Sequence, residues 1–272
     1  MLGARLGPIL RDLDFEVIEH GLRPGAEESA DLVTAAESRA LLDRVMPEAI
    51  VHLVGLTNVD ECERDPHRAY QLNVLALAHI VDWLRDTGAA RLVFISTDQV
   101  YDAPGENTEN EVLIRNTYGL TKLFAERVAL AVDGTVLRTN FFGRSFTPER
   151  SSFSDWVRLG TGNPEDLLLL TDVEVSPLSM ETLSRLIGTV LRSPARGVFN
   201  LGSRGGMSKR DLAYSIARKL DASLEGARDG TQADLDLVAR RPLGMVMNSG
   251  LFETTFGVVL PELEEEIVSA EL

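Results

Sequence analysis

Apolar and polar positions along this chain switch repeatedly between two periods. Met1 to Leu13 carries an amphipathic helical pattern, and Phe15 to His20 a short alternating strand. A loop from Gly21 to Ser29 leads to a helical stretch from Ala35 to Val45. A β-branched run, Ala49 to Gly55, follows as a strand. Pro66 to Arg85 reads as a long helix, Arg91 to Thr97 as a buried strand, Tyr118 to Ala131 as a helix and Thr135 to Thr139 as another strand. Strands alternating with helices of this length predict an α/β fold with a doubly wound parallel sheet and helices on both faces. Beyond Gly143 the regularity weakens. Shorter pieces follow: helices near Ser154–Leu159, Glu181–Leu191 and Ser208–Leu220, and a strand at Gly197–Gly202. The division expected is a core over residues 1–143 and, over 144–272, mainly a smaller α+β substrate lobe from which part of the chain returns to the core.

Composition narrows the functions this fold could serve. The formal net charge is −15, which opposes non-specific nucleic-acid binding because a phosphate backbone would be repelled. No apolar run reaches the roughly 20 residues of a bilayer-spanning helix. A lone cysteine, Cys62, excludes an internal disulfide and fits a reducing cytoplasm. No Cys/His cluster has metal-site spacing. An anionic small molecule remains compatible, since local donors override net charge.

The candidate chemistry lies in two stretches. Tyr118 and Lys122 are four residues apart on a predicted helix, so both occupy one face, a turn apart. An ammonium beside a phenol favours the phenolate and lowers its pKa, so Tyr118 is a candidate proton donor to a carbonyl. Ser96 and Thr97 end the Arg91–Thr97 strand, where ligands collect in open α/β sheets.

Several stretches together resemble one family: Leu56-Thr-Asn-Val-Asp-Glu-Cys-Glu, Leu72-Asn-Val, Ser96-Thr-Asp-Gln-Val-Tyr-Asp, Asn116-Thr-Tyr-Gly-Leu-Thr-Lys, Leu137-Arg-Thr-Asn-Phe-Phe-Gly and Gly197-Val-Phe-Asn-Leu-Gly-Ser. The pattern resembles extended short-chain dehydrogenases/reductases, and within them the dTDP-4-dehydrorhamnose reductase branch, from Met1 to about Pro261. The resemblance implies NADPH-dependent reduction of a nucleotide-linked 4-keto-6-deoxy sugar, with Thr97, Tyr118 and Lys122 as the catalytic set. It places Gly3, Arg23, Asp31, Leu32, Gly55, Leu56, Thr57, Asn73, Tyr118 and Lys122 at the cofactor, and Thr97, Asp98, Asn140 and Trp156 at the substrate. Arg138 and Thr139 fall in the same substrate-facing stretch. Arg23, rather than an acidic residue, stands where the ribose 2′ position is read, which favours NADPH, with NADH the alternative. A cytoplasmic enzyme is implied, with a homodimer as the default expectation and no nucleic-acid or membrane partner.

One departure stands out. The family begins with a strand and a Gly-x-x-Gly-x-x-Gly turn, of which only Gly3 is matched. The missing strand would lie between Phe15–His20 and Ile50–Val54. A start upstream of Met1 is the favoured explanation, a degenerate member the other, and the chain as it stands is expected to bind cofactor weakly. Rival readings are a nucleotide-sugar epimerase or dehydratase, and a non-catalytic subunit resembling the β subunit of methionine adenosyltransferase.

Overall fold

The computed structural model describes residues 1–22, 25–146 and 151–272. Four parallel strands form the central sheet, in the order Ala49–His52, Arg91–Thr97, Thr135–Thr139, Gly197–Leu201. Crossovers join successive strands, and strand alternation sorts their side chains onto two cores. Val93, Ile95 and Leu137 face one side, packed with Leu2, Leu6 and Leu10 of the first helix and Leu183 and Ile187 of the Met180–Arg192 helix. Leu92, Phe94 and Val136 face the other, against Leu41, Leu77, Ile80, Trp83 and Ala125. The last sheet strand, Gly197–Leu201, comes from the second half of the chain.

The expected strand at Phe15–His20 is not formed. Only His20 makes a bridge, to Glu28. Phe15 and Val17 still pack on the first core, beside Val51 and Leu53. Among the described residues no strand lies between this segment and Ala49–His52. Apart from the His20 bridge, its backbone groups therefore lack a ladder partner.

The predicted long helix is also modified. It begins as Pro66–Tyr70, passes through a π-helical turn at Gln71–Leu75 and continues as Ala76–Thr87. The smaller lobe has its own core, centred on Phe142, Val157, Leu169, Val175, Ile216 and Leu263. One of its small sheets joins Met207–Ser208, Glu174–Val175 and Gly244–Met245. The last of these packs on the turn at Asp98–Val100, bringing the lobe onto the strand ends. Among the described residues no helix is long and apolar enough to cross a membrane.

The helix carrying the tyrosine, Thr117–Leu130, is fixed to the sheet by a buried ion pair. Glu126 receives two bonds from Arg138 of the adjacent strand, at 2.9 and 2.7 Å, and one from Ser96 Oγ at 2.5 Å. Arg138 also donates to the Tyr101 hydroxyl and the Glu109 carbonyl. Burial opposes the charge on Arg138, but the Glu126 pairing prevails and raises its pKa. Breaking one partner of such a pair strands a charge in the core, whereas replacing both removes the desolvation cost with the attraction. Arg138→Met is therefore expected to lower stability by about 3–5 kcal/mol in urea unfolding. Adding Glu126→Leu should recover part of that loss; a single variant as stable as the wild type would contradict this account.

Candidate active site

The register of the parallel strands sets Thr97 opposite Thr139, so the Arg91–Thr97 and Thr135–Thr139 strands end together. The polypeptide beyond them converges. Thr97 Oγ1 donates to Asp98 at 3.1 Å and accepts the Gln99 N–H at 3.1 Å. Asn140 Nδ2 donates to the other Asp98 oxygen at 2.6 Å. The tyrosine helix starts directly above, capped by Asn116, whose Oδ1 accepts the Gly119 N–H at 2.8 Å. Gly119 allows this approach, because a Cβ there would sit 2.7 Å from the Gln99 carbonyl oxygen. Tyr118 thereby meets Thr97, Asp98 lies close behind, and Ser96 turns away to Glu126.

Burial pushes the Tyr118 phenol above its ordinary range; Thr97 opposes the shift, and the Asp98 charge adds to it. Burial likewise raises Asp98 to about 6, against its bonds from Thr97 and Asn140 and the pull of Lys209. Lys122 is lowered to about 7 by burial, with Glu126 opposing. Its ammonium donates to the Ile95 carbonyl at 2.6 Å and lies 4.1 Å from the centre of the Phe94 ring. This corrects the expectation that the ammonium acidifies the phenol. In this conformation Lys122 is directed at the strand backbone, and Tyr118 is held in its proton-bearing form.

Asn73, in the π-helical turn, is fully buried and acts on backbone. It accepts the Leu56 N–H at 2.6 Å and donates to the Leu56 carbonyl at 3.2 Å and to Thr121 at 2.9 Å. The loop Gly55–Leu56–Thr57 is thus pinned to the tyrosine helix, and a Cβ at Gly55 would strike Asn73 Oδ1 at 2.8 Å. Gly3 lies in the first turn of the Leu2–Asp12 helix, which has no side-chain cap and no acidic residue there. Asp31 accepts the Val33 N–H, and the Leu32 carbonyl meets Ser38 and His79. Arg23 lies outside the described residues. Trp156 is 37% exposed on the Phe153–Gly160 helix, its ring tilted against Phe153, apart from the Thr97–Tyr118 network. Arg138 is committed to Glu126 rather than to the cleft.

The sequence reading missed a strap. Residues 239–241, from the lobe, cross the cleft and are held by Asp60 of the Val59–Arg64 helix. Asp60 accepts the Ala239 N–H at 3.0 Å and pairs with Arg241 at 2.8 Å. Asn116 Nδ2 adds a bond to the Arg240 carbonyl at 2.9 Å. Ala239 is buried with Tyr118, Leu56, Val59 and Cys62. Thr97, Tyr118 and Lys122 retain only 5, 8 and 6% exposure.

A parallel sheet wound on both faces, with a Tyr-x-x-x-Lys helix against a threonine-ended strand, defines the short-chain dehydrogenase/reductase type of fold. The chain belongs to the RmlD substrate binding domain family, whose defining pattern matches residues 1–270. It is similar to a dTDP-4-dehydrorhamnose reductase of Sinorhizobium fredii, at 27% identity over 93% of this chain and 87% of that protein. A dTDP-4-keto-6-deoxy-D-glucose reductase of Streptomyces niveus is 29% identical over 82% of this chain and 76% of that one. Among solved structures, the dTDP-4-dehydrorhamnose reductase of Bacillus anthracis in complex with NADP superposes with a TM-score of 0.86. The match covers 98% of this chain and 92% of that one at 20% identity.

Two outcomes check the geometry. Asp60→Ala removes two of the three bonds described on the strap, leaving that from Asn116, and should speed thiol labelling of Cys62 by about tenfold or more, since bonds to a charged group contribute about 1.5–3 kcal/mol each; an unchanged rate would show that Asp60 does not latch the strap. His52, whose buried Nε2 has no partner among the described residues, is lowered to about 3 by burial, with Lys122 and His20 adding to it. The unfolded chain therefore binds a proton there that the folded chain refuses. The stability is present above the unfolded value of about 6.5 and is lost as pH falls from there toward 3. His52→Phe should flatten this part of the acid limb in urea titrations; a parallel limb would contradict it.

Proposed function

We propose that this protein reduces the 4-ketone of a nucleotide-linked 6-deoxy sugar with NADPH. The observation that carries the reading is the meeting of Thr97 and a proton-bearing Tyr118 at the ends of the parallel strands, with Lys122 one helical turn behind. Membership of the family and the names of its similar relatives support it.

Part of a dinucleotide site is present, with Gly3 the one glycine of the family's opening turn that the chain carries, which keeps weak binding the expectation. Lys122 spends one N–H on Ile95, leaving donors for the hydroxyls of the nicotinamide ribose. The uncapped helix start at Leu2-Gly3 suits a pyrophosphate. Gly55–Thr57, Asp31 and Leu32 would flank the rest, with Asn73 holding the first of these loops in place. When bound, NADPH supplies the hydride that the carbonyl carbon accepts.

The chain's own groups handle the oxygen. The Tyr118 hydroxyl bonds Thr97, whose own proton goes to Asp98. A ketone oxygen bound here would accept from Tyr118, and from Thr97 once the threonine proton turns from Asp98 to it. Charge that develops on that oxygen would be stabilised by these donors in a site closed to water. Tyr118 then gives up its proton, and its raised pKa makes the neutral phenol the resting form. Asp98, held by Thr97 and Asn140, fixes the threonine rotamer and is placed to accept sugar hydroxyls. Trp156 would serve the nucleotide end from the lobe. In this reading residues 1–143 hold the cofactor, 144–272 mainly hold the substrate, and the enzyme is a cytoplasmic homodimer.

NADPH oxidation with dTDP-4-keto-6-deoxyglucose tests the reading. The wild type should turn over. Tyr118→Phe should lower kcat by about 10²–10⁴, and Thr97→Val by about 10². A wild type that leaves NADPH unoxidised, or a Tyr118→Phe enzyme of undiminished rate, would refute it.

A further inference from the structure

The lobe carries a cation at the site that neither the fold nor the proposed chemistry uses. Lys209 opens the Lys209–Lys219 helix, immediately after the cap Ser208, whose Oγ accepts the Asp211 N–H at 3.0 Å. Its backbone is anchored twice. The Lys209 N–H donates to the Val173 carbonyl at 2.8 Å, and Met207–Ser208 pairs antiparallel with Glu174–Val175. The sheet containing that pair is the one that presses Gly244–Met245 onto the Asp98–Val100 turn. The Lys209 backbone is thus fixed to the sheet that packs on the Asp98–Val100 turn, within electrostatic range of Asp98, the carboxylate next to Thr97.

The ammonium is half-buried and, among the described residues, makes no hydrogen bond or ion pair. Asp98 attracts it without a hydrogen bond between them; Thr97 and Asn140 each donate to one Asp98 oxygen. The other cation it senses, Arg241, is spent on Asp60 and the Ala239 carbonyl. Burial lowers the Lys209 pKa, the Arg241 charge adds to the fall, and Asp98 resists it. An enclosed cation without a partner is unfavourable until an anion reaches it. On a chain with a net charge of −15, a local cation of this kind is also what an anionic ligand requires.

We propose that the Lys209 ammonium, facing Asp98 from the lobe, binds an anionic oxygen of the sugar nucleotide and so seats the sugar ring against Thr97 and Tyr118. The anion is the diphosphate, since a 6-deoxy sugar carries a methyl group at carbon 6 and no carboxylate. This rests on the reductase reading and adds a substrate-positioning residue to it. Lys209 touches no reacting atom, so its loss acts on substrate binding rather than on proton transfer.

The test compares full-length wild type, Lys209→Met and Lys209→Arg. It measures KM for dTDP-4-keto-6-deoxyglucose, Kd for dTDP, UDP-glucuronate and NADPH, and the melting temperature. Lys209→Met should raise KM for the ketone and Kd for dTDP by about tenfold or more. NADPH affinity should stay unchanged, and Lys209→Arg should restore most of the loss. UDP-glucuronate, which carries the same diphosphate, should lose affinity by a similar factor; a loss with UDP-glucuronate and none with dTDP would place the ammonium at the sugar instead and overturn the proposal. The methionine variant should melt no lower than the wild type, because it removes an unpaired charge. Unchanged constants for all three nucleotides would overturn the proposal, as would a lower melting temperature with NADPH affinity falling in step. A wild type that does not oxidise NADPH with the ketone refutes the reductase reading instead. Lys209-dependent dTDP binding in that protein would keep the subsite.

Discussion

The buried pair of Glu126 and Arg138 holds the active end of this molecule together. Glu126 belongs to the tyrosine helix, Arg138 to one sheet strand, and Ser96, the third partner, to the next. Three elements are thereby locked in rotation and height. Tyr118 and Lys122 lie two turns and one turn before Glu126 on the same helix, so their position over the strand ends is set by that lock. A proton donor must be within hydrogen-bond reach of the oxygen it serves, and errors of about 1 Å in such placement cost orders of magnitude in rate. A charged pair in the core is a poor source of net stability, and its value here is the geometry it enforces.

Around this anchor the site is assembled from both halves of the chain. The core supplies Thr97, Asp98, Tyr118, Lys122 and the pinned Gly55–Leu56 loop. The lobe supplies the strap at 239–241 and Lys209. Asn116 links the two, since its oxygen caps the tyrosine helix while its nitrogen holds the strap. The strap packs Ala239 on Tyr118, and burial strengthens each electrostatic interaction there. The lobe also brings the Lys209 charge within range of the carboxylate beside Thr97.

Much of this was legible in the sequence because it depends on local spacing. The Tyr118–Lys122 interval, the hydroxyls ending the Arg91–Thr97 run and the alternation of strand and helix each follow from periods of 3.6 or 2 residues. The α/β class and the four sheet strands are of this kind. What local pattern could not show is who pairs with whom. Phe15–His20 has a strand's alternation, yet a strand exists only with a neighbour, and none flanks it on the Ala49–His52 side among the described residues. Lys122 has the spacing to reach the phenol, yet the Ile95 carbonyl and the Phe94 ring lie nearer to where its side chain runs. Arg138 read as a substrate contact because its buried acid sits on another element. Asp60, Arg241 and Lys209 gave no signal, since their meaning arises from contacts between halves of the chain; Lys209 looks in sequence like the first residue of a surface helix.

The most direct measurement of the central claim is the fate of deuterium from NADPH labelled on its transferring carbon. The protein is incubated with dTDP-4-keto-6-deoxyglucose, and the product is analysed by NMR. The account predicts deuterium on sugar carbon 4 in amounts equal to the NADPH consumed. Product without deuterium, or with deuterium at another carbon, would contradict it.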